Sequence, residues 1–245
     1  QVMKQAADSL KKVSLELGGK SPNVVLKDAD LEKAAKQAIK GAWVSFGGQV
    51  CYAGTRILLE DSIHDEFVDT LKTEAEALKL GYGANEGVDM GPIIDRSQLE
   101  TVMEYIDIGK QDADLLTGGY VADEGELSKG NFIVPTVLAN VTEEMDIAST
   151  ETFGPVACVT RVDSVDEAVD RANDTHFGLG AVVFGGDDAT GVARRLTAGM
   201  IGVNRAAGGA VGTPWVGARQ SGFGFHKSHD GHKQFTQTRV LTTRI

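Results

Sequence analysis

Two side chains in this sequence have surroundings that suit nucleophilic chemistry and proton transfer. The first, Cys51, lies in Phe46-Gly-Gly-Gln-Val-Cys-Tyr-Ala-Gly-Thr-Arg56, a run of small, loop-forming residues between a helix pattern and a strand pattern. Backbone N–H groups in such a loop are expected to lower the pKa of the thiol from its usual value of about 8.5, which favours the nucleophilic thiolate. On spacing alone, an incidental loop cysteine remains an open interpretation.

Glu16, the second candidate, stands between two leucines in Leu15-Glu-Leu-Gly-Gly-Lys-Ser-Pro22. Apolar neighbours predict desolvation, which raises the pKa of a carboxyl group toward neutrality and suits a general base. A carboxylate paired with Lys20 explains the pattern equally well. Gly18-Gly19 has neither G-x-G-x-x-G nor P-loop spacing, so it indicates a phosphate-binding loop only weakly.

The composition argues against a nucleic-acid-binding, a membrane-spanning and a disulfide-stabilised protein. The 245 residues include 35 acidic and 24 basic side chains, and the resulting net charge of −11 argues against a nucleic-acid partner. No apolar run approaches the roughly 18 residues that a membrane span requires. The two cysteines cannot form a disulfide framework, and free thiols predict a reducing, cytoplasmic location. Cys158 lies in an apolar strand pattern and is interpreted as a small buried side chain.

The elements that must position these residues alternate between strand and helix patterns. Apolar residues recur at i, i+3, i+4 and i+7 from Leu31 to Phe46, which predicts an amphipathic helix that ends at Gly47-Gly48. The alternation predicts an α/β fold, a mainly parallel twisted sheet flanked by helices. Strands are predicted at 23–26, 56–60, 156–162, 179–184 and 200–204.

The C-terminal segment departs from this alternation. Residues 237–245 are β-prone and follow a glycine-rich stretch between Gly208 and Gly231. A terminal strand of this kind pairs either with the edge of another chain's sheet or with its own sheet, and the sequence leaves both open.

Taken together, five ordered motifs make the chain resemble the aldehyde dehydrogenase superfamily over nearly its whole length. The stretch around Glu16 is similar to the glutamate motif of that family, and Gly48-Gln-Val-Cys51 is similar to its cysteine motif. The other three are Glu151-Thr-Phe-Gly-Pro155, the segment from Asn173 to Phe184, and Pro214-Trp-Val-Gly-Ala-Arg-Gln-Ser-Gly222.

The resemblance implies a role for each matching position. Cys51 would attack the carbonyl of a small-molecule aldehyde, hydride would pass to NAD or NADP, and Glu16 would activate the water that hydrolyses the thioester. Glu151 would bind the nicotinamide ribose, Phe153 would pack near the nicotinamide ring, and Gly18 would belong to the same cofactor site. Val50, Tyr52 and Trp215 would line the substrate pocket, and no metal is implied.

The resemblance also implies a domain organisation. Residues 1–18 would be a remnant of the dinucleotide-binding domain and hinge, 19–231 the catalytic domain, and 232–245 a strand for oligomerisation. Since most of the dinucleotide-binding half of the family would precede Gln1, this chain is expected to be inactive alone, and its partner is expected to be a second copy in a homodimer or homotetramer. A CoA-acylating relative and a truncated, non-enzymatic oligomerisation module are the alternatives.

Several positions depart from the family pattern, including Val216 and Arg219, which stand where glycine and lysine are usual. Tyr52 follows the cysteine where a small or aliphatic residue is usual, and it either narrows the aldehyde tunnel or packs structurally. Trp215 replaces a phenylalanine, which suggests an apolar or aromatic aldehyde. His226 stands where some relatives carry a glutamate, so it is either a proton-shuttling residue or a solvated loop histidine.

Overall fold

The structure is a computed structural model that describes residues 1–208 and 210–244. These residues form nine strands, of which seven build one sheet and two pair separately as a small antiparallel sheet. In chain order the strands are β1 (Leu15–Glu16), β2 (Pro22–Val25), β3 (Arg56–Glu60), β4 (Asp114–Thr117), β5 (Thr136–Ala139), β6 (Val156–Val162), β7 (Gly180–Phe184), β8 (Met200–Val203) and β9 (Gly222–Phe223). The sheet order is β4-β5-β6-β3-β2-β7-β8, with every neighbouring pair parallel except β4 with β5. The predicted parallel α/β fold is therefore confirmed.

Helices cover both faces of the sheet. Alternate residues of each strand point to opposite faces, so each face presents apolar side chains against which helices pack. Val25 and Leu59 belong to one apolar cluster, whereas their neighbours Val24 and Leu58 belong to another. The helices are α1 (Val2–Ala7), α2 (Leu31–Ile39), α3 (Asp61–Ala77), α4 (Arg96–Asp112), α5 (Asp146–Ser149), α6 (Val165–Asn173), α7 (Ala189–Ala193) and α8 (Ser228–Lys233). The first cluster contains α2 and α3, the second α6 and α7, and a third packs α4 and α5 against β5 and β6.

The helix predicted from Leu31 to Phe46 is not α-helical throughout. Its N-terminus is capped by Asp30, whose carboxylate accepts the N–H of Lys33, but α2 ends at Ile39 and a π-helical turn spans Lys40–Val44. Apolar periodicity did not distinguish the two, because Ala42 and Trp43 are buried in the wider turn as well. The chain then enters a short 3-10 turn at Phe46–Gly48, which leads to Cys51.

The predicted C-terminal strand is absent from residues 237–244, and Ile245 lies outside the described residues. Val240 and Leu241 are each 84% exposed, so this segment does not complete the sheet of its own chain. A segment becomes a strand only when its backbone pairs with a neighbour, and the prediction that it pairs with another chain stays a prediction. None of the described helices is long and apolar enough to cross a membrane.

Candidate active site

Three loops meet at the amino ends of adjacent parallel strands. The loop that carries Glu16 leads into β2, the loop with Cys51 into β3, and the loop with Glu151 into β6. Because β6, β3 and β2 are neighbours in the sheet, the three loops share one edge. Together they line an open cleft of about 550 Å³, whose walls contain Glu16, Leu17, Gly18, Phe46, Gln49, Val50, Cys51, Glu151 and Phe153.

The thiol of Cys51 is half-buried in this cleft. Burial, followed by the hydrogen bond and the negative charge of Glu16, raises its pKa to about 12, while the backbone N–H of Tyr52 acts in the opposite direction. The predicted lowering of this pKa is therefore wrong for the chain by itself. The loop does supply an N–H donor, but desolvation and a neighbouring carboxylate outweigh it.

Glu16 lines the same cleft as the Cys51 thiol. Its side chain is not buried, although the flanking leucines predicted burial. Its strand pairs with β9 at the surface, which leaves both Glu16 and Leu17 exposed. The alternative pairing with Lys20 is not formed, since Lys20 is fully buried and its Nζ contacts the Thr152 hydroxyl at 3.4 Å. Burial lowers the pKa of Lys20.

Glu151 is fixed by the Gly18-Gly19 turn. The N–H of Gly19 donates to its Oε1 at 3.1 Å, while burial raises the pKa of this carboxyl group. A Cβ at Gly18 would come within 2.3 Å of the Glu151 carboxylate, and one at Gly19 within 2.2 Å of the Cys51 carbonyl. The turn thus requires glycine because two loops of the site approach it closely, and no phosphate is needed to explain the pair.

Phe153 reaches the cleft through a constrained loop. Its φ is +52°, and its side chain is 37% exposed. The amide of Gln98, at the start of α4, donates to the carbonyls of Thr152 and Phe153 at 3.1 and 3.0 Å. Trp43 supports the end of the same loop by donating from its indole to the Pro155 carbonyl at 3.0 Å.

Tyr52 and Trp215 lie together, but neither lines the cleft of Cys51. Their rings meet edge to face with centroids 5.0 Å apart, and the ammonium of Lys227 sits 4.7 Å from the centre of the Trp215 ring. Tyr52 instead lines a second cavity of about 170 Å³. Val50 lines both spaces, so the Cys51 loop separates them.

The other histidines and the second cysteine stand apart from the cleft. His226 forms a two-bond backbone bridge with Trp215, and its Nε2 lies 3.3 Å from the hydroxyl of Ser14. Cys158 is fully buried in β6, as predicted. Within the part of the chain that the structure describes, no group of His, Cys, Asp and Glu side chains is arranged to hold a metal ion.

Sequence reasoning missed Ser221, which supports the Glu16 strand from a distant part of the chain. Its buried hydroxyl donates to the Gly18 carbonyl at 2.6 Å and accepts the N–H of Gly178 at 2.9 Å. The N–H of Leu17 also donates to the Ser221 carbonyl. The only available signal was the position of this serine inside the Pro214–Gly222 motif, which does not reveal what the hydroxyl contacts.

Comparison with known proteins identifies the family. The model of the aldehyde dehydrogenase family matches residues 1–241, so the chain belongs to that family. It is 39% identical to the betaine aldehyde dehydrogenase of Bacillus subtilis over 242 residues, which are 98% of this chain and 49% of that protein. A Staphylococcus haemolyticus protein whose name places it among the aldehyde dehydrogenases is 44% identical over 244 residues, 98% of this chain and 51% of the relative.

The fold agrees with a solved structure of the family. Betaine aldehyde dehydrogenase of Staphylococcus aureus, crystallised in complex with NAD+, superposes with a TM-score of 0.92 at 37% identity and covers 96% of this chain. This chain spans about half the length of the relatives that it matches.

Proposed function

We propose that this chain supplies the nucleophile, the base and the nicotinamide-facing wall of an enzyme that oxidises an aldehyde to a carboxylic acid. The observation that carries the proposal is the common cleft, in which the Cys51 thiol, the Glu16 and Glu151 carboxylates and the Phe153 ring all lie. A thiol can form and release an acyl group only where a proton acceptor and water reach the same carbon, and the Glu16 carboxylate is close enough to the thiol to raise its pKa.

The proposed reaction uses each side chain in turn. Cys51 Sγ adds to the carbonyl carbon while its proton passes to Glu16, and Glu16 returns this proton to the former carbonyl oxygen, which completes a thiohemiacetal. The backbone N–H of Cys51 would be one donor to that oxygen. When an oxidised nicotinamide is bound, the hydride of this carbon would pass to it, and loss of the hydroxyl proton to water would leave a thioester on Cys51. Glu16 then removes a proton from water, which attacks the thioester, releases the acid and restores the thiol.

The cleft fits an oxidised nicotinamide, which when bound accepts the hydride. This ring is cationic, and the cleft presents two carboxylates and exposed apolar side chains from Leu17, Phe46 and Phe153. Gly19 holds one oxygen of Glu151, and the other oxygen, beside Gly18, would be the acceptor for a ribose hydroxyl. Both NAD and NADP remain compatible with these residues, and the adenosine half would bind outside this chain. The chain alone is therefore proposed to lack dehydrogenase activity.

The substrate's tail would occupy the second cavity, behind Val50. Tyr52 and Val50 line this cavity, and Trp215 supports it by packing against the edge of Tyr52. Tyr52 therefore shapes the pocket directly, whereas Trp215 acts through it. A carboxylate beside the thiol favours water over coenzyme A as the acyl acceptor, and so favours hydrolysis over the CoA-acylating alternative.

Selective labelling of the thiol tests the proposal. Iodoacetamide is expected to modify Cys51 and to leave Cys158 unmodified, because only the former lines a cleft. An aldehyde that adds to Cys51 should slow the modification, as measured by peptide mass spectrometry over time. Equal labelling of the two cysteines, or labelling of Cys51 that no aldehyde slows, would contradict a preformed nucleophile site and favour the non-enzymatic module.

A further inference from the structure

Lys20 is buried without a carboxylate in contact with it. Its side chain is only 2% exposed, and within the described residues its Nζ has one hydrogen-bond partner, the Thr152 hydroxyl at 3.4 Å. The lysines that form ion pairs in this part of the chain are Lys36, Lys110, Lys129 and Lys233. An apolar side chain of similar length would fill the same space without the cost of burying a charge, so packing alone does not account for this lysine.

The one contact of Lys20 is with the loop that carries Glu151. The N–H of Gly19 donates to the Glu151 carboxylate at 3.1 Å, and the Nζ of Lys20 donates to the hydroxyl of Thr152. Two consecutive residues of one loop therefore hold two consecutive residues of the other. Thr152 is 4% exposed, so the second contact is shielded from water, whereas Glu151 lines the open cleft.

The charge of Lys20 also acts on Glu151. Burial raises the pKa of the Glu151 carboxyl group and the charge of Glu16 adds to this rise, whereas the Gly19 N–H and the Lys20 ammonium lower it. The effect is mutual, since burial lowers the pKa of Lys20 and the Glu151 carboxylate acts against that lowering. An ionised carboxylate accepts a stronger hydrogen bond from a hydroxyl than a neutral carboxyl group does. A positive charge at Lys20 thus favours the form of Glu151 that binds a ribose more tightly.

We propose that Lys20 is a positioning residue of the cofactor site, which keeps Glu151 ionised at the cleft through its buried charge and its contact with Thr152. The inference rests on the proposed function, in which Glu151 binds the nicotinamide ribose. It goes further by assigning a task to a buried side chain that does not itself line the cleft.

The titration of Glu151 in this chain tests the inference. Carbon-13 labelling of the glutamate side chains allows the Glu151 carboxyl carbon to be followed by NMR as the pH is varied, and Glu151→Gln assigns its signal. In Lys20→Met the midpoint of this titration should move to higher pH, because the positive charge is lost while the burial remains. Lys36→Met removes a surface lysine that pairs with Glu32, and it should leave the midpoint unchanged.

Two further measurements separate this role from a purely structural one. Because Lys20→Met replaces a buried charge with an apolar side chain, it should unfold at the same or a higher urea concentration. Nicotinamide mononucleotide carries the ribose that Glu151 would bind, and it should protect Cys51 from iodoacetamide. Where only the unchanged chain has Glu151 ionised, Lys20→Met should require about tenfold more of it for half-protection, as expected for one charge-assisted hydrogen bond. The difference should shrink as the pH rises, because Glu151 then ionises in both proteins.

The outcomes distinguish this inference from the proposed function. An unchanged Glu151 midpoint in Lys20→Met, or an equal shift in Lys36→Met, would overturn the inference and leave the thiol chemistry supported. A Lys20→Met chain that fails to fold, or whose weaker protection persists at every pH, would also overturn it by showing that the ammonium serves the fold. If nicotinamide mononucleotide does not protect even the unchanged chain, the proposed cofactor site itself is contradicted and the inference falls with it.

Discussion

At the scale of the residue, the contact between Cys51 and Glu16 has two opposite effects. The carboxylate can accept the protons that the reaction releases, yet its hydrogen bond and charge also help raise the pKa of the thiol to about 12. The thiol is therefore mostly protonated near neutral pH, and its reactivity should still be rising with pH well into the alkaline range. A deprotonation step that is coupled to Glu16 avoids the cost of a free thiolate next to a negative charge.

Replacing Glu16 tests this balance. The Glu16→Gln variant should have a lower Cys51 pKa, because the charge and the ionic hydrogen bond are lost while the burial remains. Alkylation by iodoacetamide at pH 8 should then become about threefold faster for each unit of the drop, since a less basic thiolate is also a weaker nucleophile. The measurement is the rate of Cys51 modification as a function of pH.

Glu151→Gln is the matched control, because Glu151 affects Cys51 through its charge alone. Its profile should move in the same direction by a smaller amount. An unchanged profile for Glu16→Gln would show that burial by itself protonates the thiol. In a dehydrogenase that contains this chain, Glu16→Gln should also lower acid formation by about 100-fold or more while acylation of Cys51 continues.

At the scale of the element, the active-site edge depends on contacts between loops that are far apart in the chain. Ser221 joins the turn at Gly18 to the turn at Gly178, and β9 holds the Glu16 strand from the outside. Glu16 is therefore placed by a segment about 200 residues later in the chain, with which it shares no local pattern.

Removing this hydroxyl should destabilise the protein. Ser221→Ala leaves a part-buried carbonyl and a buried N–H without their partner, which is expected to cost about 1–3 kcal/mol of unfolding free energy. Urea unfolding followed by circular dichroism measures the change. Ser128→Ala removes an exposed hydroxyl bonded to the Gly125 carbonyl and should change stability by less than about 0.5 kcal/mol. Similar effects of the two changes would contradict the supporting role of Ser221.

The sequence predicted the strands that have continuous apolar runs better than the elements that lack such a signal. Strands 56–60 and 156–162 have the predicted bounds, because continuous apolar runs bounded by turns define buried strands. The edge strand β4 had no comparable signal, since Asp114 and Leu115 are exposed and the strand is short. The π-helical turn after α2 was also missed, as its buried side chains continue the helical period.

At the scale of the whole molecule, the exposed C-terminal segment leads to a prediction about assembly. Residues 237–244 do not pair with their own sheet, and two of their apolar side chains are almost fully exposed. If the segment adds a strand to another copy, the chain should sediment as a dimer or tetramer, and deletion of residues 237–245 should convert it to a monomer with unchanged far-ultraviolet circular dichroism.

Sedimentation velocity of the intact chain, the deletion variant and a Val240→Asp variant checks this expectation. Val240→Asp places a charge in the apolar part of the segment and should weaken assembly without shortening the chain. A monomeric intact chain, or a deletion variant with the assembly state of the intact chain, would show that the segment does not join copies.

Apolar periodicity and short motifs predicted the alternation of strands and helices, the parallel sheet and the residue types of the site, because these patterns depend only on neighbours along the chain. Tertiary structure alone decided that Glu16, Cys51 and Glu151 share one cleft, since this follows from β6, β3 and β2 lying side by side. It also decided the environment of each group, leaving Glu16 exposed and raising the pKa of Cys51. Desolvation and charge act through space, so segments distant in the chain set them and a local pattern cannot report them.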